Sequence, residues 1–254
     1  MITMLWPASM GLLGLLLGSL MNVVVHRLPI MIEKPEAGLS LWWPGSHCPH
    51  CHTPLRWREN IPLLSWLWLQ GRCRYCQQPV SWRYPAIETG VMTGFLAIAF
   101  LFPPEIQTIG VATFFWFACA MSLIDLRTFL LPDKLTLPLL WLGLLFHSWY
   151  SPWMLSDAVY GAAAGYLILW SINKICLLWL KRDGLGYGDF KLLAACGAWT
   201  GWQSLPLILT VASTIGLLSA VFFTRKGGFK GKNIPFGPPL ALAGFVVLLW
   251  FNYV

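Results

Sequence analysis

Charge is what this sequence has least of. Only 11% of its 254 residues are Asp, Glu, Lys or Arg, while 57% are hydrophobic. A soluble domain carries roughly a quarter charged residues, so an ordinary soluble fold is excluded and an integral membrane protein is expected. Acids are scarcer than bases, ten against seventeen. The excess of +7 does not point to nucleic acid, because the bases sit in short loops between apolar segments and read as topology signals. The N-terminal run "MITMLWPASMGLLGLLLGSLMNVVVHRLP" lacks a basic leading region, and no small-x-small cleavage site follows it. A removable signal peptide is therefore not expected, and residues 1–25 read as a retained first span with its N-terminus outside. Internal repeats are absent, as is any low-complexity tract beyond "TRKGGFKGKN".

What is present is a series of apolar segments and sixteen tryptophans, a residue that favours the headgroup region. About 20 apolar residues cross a bilayer, and candidate spans fall near 5–25, 85–103, 108–124, 134–149, 158–180, 189–203, 204–223 and 236–253. The sixth is short and contains Gly197 and Gly201, so it is expected to be shielded by neighbouring helices, to tilt little or to thin the bilayer. Apart from Lys174, near the inner end of the fifth span, every Lys and Arg falls in the 26–84, 125–134, 181–191 or 224–232 loops or at a span end on that face. The opposite loops hold only Glu105 and Asp157. The positive-inside rule makes the basic face cytoplasmic and puts both termini outside. The fold class expected is an all-α polytopic membrane protein of about eight transmembrane helices. A small cytoplasmic module at 26–84 separates the first span from a seven-helix membrane domain at 85–254.

Four of seven cysteines form two hooks inside that module, "CPHC" (Cys48, Cys51) and "CRYC" (Cys73, Cys76), 21 residues apart. Paired C-x2-C hooks at this spacing are a zinc-ribbon signature. Disulfides rarely persist in the reducing cytoplasm, and four thiolates leave Zn²⁺ no open position, so a structural metal is expected. His50 and His52 flank Cys51 and are read as bystanders. Cys119, Cys176 and Cys196 fall in spans and read as small packing residues. A thiol-disulfide site is the competing reading, and it requires cysteines that cycle during turnover.

Ionisable residues at membrane depth are functional candidates. Glu33, Glu36 and Glu59 in the module read as solvated, Asp183 as an exposed turn residue and Asp133 as the N-cap of the fourth span. Glu105 lies in an outer loop, and so does Asp157, which suits the start of the fifth span. Glu88, one turn into the second span, fits either a buried hydrogen-bond partner or a functional acid. Asp125 ends the third span in "FACAMSLIDLRTFLLPD", and Asp189 opens the sixth in "GLGYGDF", so both lie at cytoplasmic helix ends. If the two helices are neighbours, the carboxylates face each other across a water. Such a pair shares a proton. The ionised member takes a proton from water while the protonated one polarises the scissile carbonyl. Gly186 and Gly188 are expected to allow unusual backbone angles and to admit an extended peptide. The plainer reading is an ordinary glycine turn, with the buried charge paired to Lys191 or Lys174.

These residues stand in a longer resemblance. In order along the chain come "GSLMNVVVHRLP", "ENIPLLSWLWLQGRCRYC", "SWRYPAIE", "IDLRTFLLPDKLTLPLLWLGLL", "GYGDFKLLAACGAWTGWQ" and "PFGPPLALAG". They resemble the type IV prepilin leader peptidases, bifunctional peptidase and N-methyltransferase enzymes of type IV pilus and type II secretion systems. The resemblance covers nearly the whole length. It implies a multi-pass protein of the bacterial inner membrane whose aspartyl protease site, Asp125 and Asp189, faces the cytoplasm. It implies prepilin or pseudopilin substrates cut after the glycine that ends a short basic leader. It further implies methylation of the new N-terminus with S-adenosylmethionine as donor. That second activity rests on the resemblance alone, because no G-x-G-x-x-G turn follows a predicted strand and no motif assigns the donor site.

Two alternatives remain. A presenilin-type intramembrane protease also uses G-x-G-D but has no reason to carry the double hook. A non-enzymatic assembly protein would use the module to recruit cytoplasmic partners and would tolerate Asp189→Asn. Which pilin is cut, the oligomeric state and the roles of Glu88 and Lys191 stay open from sequence.

Overall fold

The structure is a computed structural model that describes residues 2–181, 186–225 and 235–253. Asp183 and the basic tract 226–232 lie outside the described residues. The chain divides into two compact units, Met1–Thr108 and Ile109–Val254, and every element among the described residues is helical.

In the first unit, α1 (Ile2–Glu33) packs along α3 (Arg83–Leu101). The contact is close because glycines stand on α1 where α3 passes. A Cβ on Gly14 would sit 2.7 Å from that of Phe95, and one on Gly18 would sit 2.8 Å from Cα of Glu88. Small residues of this kind let apolar helices touch backbone to backbone where lipid offers no hydrophobic drive. The first helix outruns the expected span end at residue 25 by eight residues. Arg27 does not stop it, because its buried guanidinium is bonded to the carbonyls of Ser40, Leu41 and Gly45. Between α1 and α3 lie two short 3-10 turns, Pro35–Ala37 and Trp57–Asn60, and the one-turn helix α2 (Leu64–Trp68).

The second unit is a bundle of α4 (Ile106–Thr128), α5 (Asp133–Tyr150), α6 (Leu155–Leu180), α7 (Tyr187–Thr200), α8 (Leu205–Arg225) and α9 (Gly237–Tyr253). Its centre is α7, buried at every position from Leu192 to Thr200. At 14 residues this helix is about 21 Å long, short of a hydrocarbon core of roughly 30 Å. It is enclosed by neighbouring helices, one of the three accommodations expected for it. Gly161 and Gly165 of α6 lie on the α7 backbone, where a Cβ at Gly165 would meet the Leu193 carbonyl oxygen at 2.7 Å. On another side, the Trp199 indole donates to the Leu139 carbonyl of α5 at 2.8 Å, and His147 bonds the Trp199 carbonyl at 3.1 Å. Outward-facing Trp141, Leu145, Trp149, Leu178, Leu217 and Leu218 are exposed, as side chains directed at lipid should be.

Among the described residues, five helices are long and apolar enough to cross a membrane: Leu5–Glu33, Arg83–Leu101, Ile106–Thr128, Pro152–Trp179 and Trp202–Phe222. Gly237–Trp250 is apolar but shorter. The chain is thus an integral membrane protein by composition and by helix length.

Candidate active site and metal cluster

Asp125 lies in the last turn of α4, and Asp189 in the first turn of α7. Both are buried, at 5% and 8% exposure. The bundle brings them near enough for the charge of Asp125 to act on Asp189. Oδ2 of Asp125 accepts the backbone N–H of Gly237, the first residue of α9, at 2.9 Å. Oδ1 of Asp189 is buried with no hydrogen-bond partner among the described residues. Neither carboxylate forms an ion pair with a described residue: Lys191 bonds Asp133 at 2.6 Å, and Lys174 lies over the Trp170 ring. The pairing with Lys191 or Lys174 that the plainer reading required is therefore not made.

The glycines do not have the unusual backbone angles expected of them. Gly186 has φ −72° and ψ 140°, ordinary extended backbone, and Gly188 is inside the helix, so neither needs glycine for its angles. What they supply is space. A Cβ on Gly188 would lie 2.6 Å from that of Leu131, and one on Gly186 would lie 3.3 Å from Oδ2 of Asp189. Leu131 also lies against Gly237, so one side chain touches the segments that carry both acids' neighbours. Leu131 and Gly237 had not been singled out as site residues. The Gly-Pro-Pro start of α9 was the available signal, since proline favours a helix's first turn.

Other acids are corrected. Asp133 does not cap α5: Pro132 holds that position, and Asp133 is the first helical residue. Glu59 is buried rather than solvated, accepting the N–H of Arg56 and the Tyr75 hydroxyl and pairing with Arg74 at 3.5 Å. Glu88 is a buried hydrogen-bond partner, accepting the Leu63 N–H at 2.8 Å. Asp157 lies in the first turn of α6 and accepts from the Trp202 indole at 3.1 Å.

The four module cysteines converge, with all their sulfurs within 4.8 Å of one another. The Sγ atoms of Cys48 and Cys76 are 3.8 Å apart, which matches the edge of a tetrahedron with Zn–S near 2.3 Å, about 3.8 Å. The two hooks are conformational copies offset by 25 residues. Cys48 N–H donates to Thr53 and Cys73 N–H to Gln78, while His52 and Gln77 donate back to those cysteines with φ of 55° and 57°. Each hook ends in a bridge, His47 to Pro54 and Arg72 to Pro79. A short repeat is therefore present after all, "SHCPHCHTPL" against "GRCRYCQQPV". The two segments share few letters beyond their cysteines and one proline. Hydrogen bonds from Thr53 pull the Cys51 thiol down to about 6, and backbone N–H groups of Cys76 and Tyr75 lower Cys73. At Cys76 the Gln78 amide pulls down, yet burial and the three neighbouring sulfurs push the thiol up to about 11. The four cysteines could hold a metal ion, and soft sulfur donors in a closed tetrahedral set suit one of the zinc class. His50 and His52 do not belong to the cluster.

The geometry agrees with the comparisons to known proteins. Residues 12–102 match the bacterial peptidase A24 N-terminal domain, and residues 112–221 match the type IV leader peptidase family. The chain is 46% identical over 257 residues to an Aeromonas hydrophila protein named prepilin leader peptidase/N-methyltransferase, covering 94% of this chain and 89% of that one. A Pseudomonas aeruginosa protein of the same name is 45% identical over 262 residues, covering 96% and 90%. A third, from Klebsiella pneumoniae, is 48% identical over 211 residues, covering 82% and 91%. No solved structure matches. With both halves matched and relatives of this identity spanning nearly all of it, the chain belongs to the type IV leader peptidase family.

Proposed function

We propose that Asp125 and Asp189 are the catalytic pair of a membrane endopeptidase that removes the basic leader of a prepilin or pseudopilin after its terminal glycine. The enzyme is a prepilin leader peptidase and N-methyltransferase by its relatives, and the aspartates supply its hydrolytic chemistry. The observation that carries the assignment is Oδ1 of Asp189, buried without a partner among the described residues and beside a second carboxylate from another helix. An unsatisfied buried polar atom costs about 1–3 kcal/mol, a cost that a site for water and substrate explains.

One carboxylate takes a proton from water, whose oxygen adds to the scissile carbonyl, while its protonated partner donates to the carbonyl oxygen. Collapse of the tetrahedral adduct breaks the C–N bond, and the departing nitrogen takes up a proton. Gly186, where an added Cβ would meet only the Asp189 carboxylate, leaves room for an extended peptide, while Gly188 lets Leu131 pack closely. The newly freed amine is the acceptor for methylation, and S-adenosylmethionine supplies the methyl group when bound.

Cys48, Cys51, Cys73 and Cys76 hold Zn²⁺ as a closed structural site. The chain spans the bacterial inner membrane eight times, through α1, α3 and α4 to α9, with both termini outside and the aspartates at the cytoplasmic face. In that position they meet the junction between a basic leader in water and an apolar helix in lipid.

The test is leader cleavage in detergent, using a synthetic precursor with a basic leader, a terminal glycine and an apolar helix. Wild type should cut after the glycine, while Asp125→Asn and Asp189→Asn, folded and metal-loaded, should not. Cleavage by both variants would make the aspartates structural and return the choice to an assembly protein.

A further inference from the structure

Four residues, Phe129 to Pro132, connect α4 to α5. They begin one turn after Asp125, whose backbone carbonyl accepts the Phe129 N–H at 3.0 Å. Phe129 stands at φ 56°, the left-handed conformation in which helices commonly end, although a bulky side chain is disfavoured there. The chain leaves the α4 axis at that point, and at the far end buried Pro132 caps α5. Between these two fixed points stands Leu131, a residue that the cleavage chemistry described above does not use.

Leu131 has a neighbour at each end of its side chain. A Cβ added to Gly188 would lie 2.6 Å from Cβ of Leu131, and one added to Gly237 would lie 3.2 Å from its Cδ2. Gly188 directly precedes Asp189 in α7. Gly237 opens α9 and donates its N–H to Oδ2 of Asp125 at 2.9 Å. One end of the leucine thus rests on the helix that carries one acid, and the other on the residue that grips the second. The gap between the carboxylates depends on how closely the first turns of α7 and α9 approach. A leucine has no proton or charge to give, which leaves spacing as its part. Such a spacing holds because protein interiors are close-packed and yield little.

We propose that Leu131 is a positioning residue for leader cleavage, a spacer between Gly188 and Gly237 that holds Asp125 and Asp189 one water apart. The proposal rests on the assignment of the two aspartates as the catalytic pair and names what sets their separation. Both carboxylates must reach the same water and carbonyl, and misplacing a reacting group by about an ångström costs on the order of 100-fold in rate. The reach of the side chain decides the outcome. Alanine keeps the Cβ against Gly188 but lacks the δ carbon that meets Gly237, so α9 loses its stop and Asp125 moves with it. Methionine has nearly the same volume and a chain long enough to reach Gly237, the kind of exchange that packed sites tolerate best.

The experiment is steady-state cleavage of the synthetic precursor by the zinc-loaded, full-length protein in detergent, with the melting temperature measured for every variant. Leu131→Ala should lower kcat about 100-fold and leave KM within about twofold of wild type, the mark of an interaction that serves the transition state alone. Leu131→Met should keep kcat within about fivefold. If Leu131→Ala melts below the assay temperature, Leu131→Val, which keeps a branched side chain but has no δ carbon, replaces it with the same expectation. A raised KM with unchanged kcat would mean that the side chain holds the peptide rather than the acids, and the proposal would fall. It would fall equally if Leu131→Met melted with wild type yet lost as much kcat as Leu131→Ala. Asp125→Asn, run beside them, separates the two layers of the argument. If Asp125→Asn is dead while folded Leu131→Ala turns over at the wild-type rate, only the spacer falls. If Asp125→Asn cuts as fast as wild type, the catalytic pair falls and the spacer with it.

Discussion

Gly237 donates its backbone N–H to Oδ2 of Asp125 at 2.9 Å, although 112 positions separate the two residues. The bond joins the start of α9 to the end of α4 and fixes one carboxylate of the pair. A Cβ at position 237 would lie 2.6 Å from that same oxygen and 3.2 Å from Cδ2 of Leu131, so nothing larger than glycine fits without moving the acid. Gly237→Ala should therefore slow leader cleavage about 100-fold, the cost of displacing a reacting group by an ångström, with melting temperature little changed. Initial rates on the synthetic precursor measure this. A rate near wild type would show that Asp125 needs no such hold.

Asp133 provides the contrast, being the acid that sequence alone places nearest to Asp125. Its bond to Lys191 joins the first turns of α5 and α7, with side chains 57% and 29% exposed. Exposed pairs are worth about 0–1 kcal/mol. Asp133→Asn should therefore lower the melting temperature by a few degrees at most and keep cleavage within about twofold of wild type. A dead but folded Asp133→Asn would move Asp133 into the catalytic group.

Much of this site was legible because its chemistry is written in local strings. An acid directly after an apolar run, as at Asp125, marks a helix end, and a C-x2-C hook closes on itself within a few residues. What stayed hidden depends on long-range packing. Glu59 looks solvated because nothing nearby in sequence shows that Tyr75 and Arg74 fold over it. Asp133 looks like an N-cap because aspartate usually is one, whereas here Pro132 takes that position. For Gly186 and Gly188 the sequence suggests both unusual angles and room, and only the angles fail: they are ordinary, and the neighbours show where a side chain would not fit.

The short helix α7 depends on its contact with α6. Gly165 lies over the Leu193 carbonyl and over Cα of Ala194, where an added Cβ would sit 2.7 Å and 3.0 Å away. These neighbours are backbone and cannot swing aside, so Gly165→Val should destabilise the bundle by about 1–3 kcal/mol. A lowered thermal transition in detergent, with cleavage lost as Asp189 shifts with its helix, is the expected result. An unchanged transition would mean that α6 can slide away freely.

The metal cluster predicts a proton balance. Zinc binds thiolates, so every thiol proton present must leave on loading, and protons compete with the metal as pH falls. Cys51, at about 6, is mostly ionised at pH 7.5, whereas Cys76, pushed to about 11 among its neighbouring sulfurs, is protonated there. Loading the metal-free protein at pH 7.5 should therefore release at least one proton per zinc, that of Cys76, read with a pH dye in weak buffer. The folded thiol of Cys51 is depressed, so its contribution holds above about 6 and is lost as pH drops through that value. Zinc affinity should accordingly fall with a steepening slope between pH 7.5 and 5.5. Zinc uptake without proton release would mean that Cys76 already stands ionised, and the crowding of four sulfurs would then not set the chemistry of this cluster.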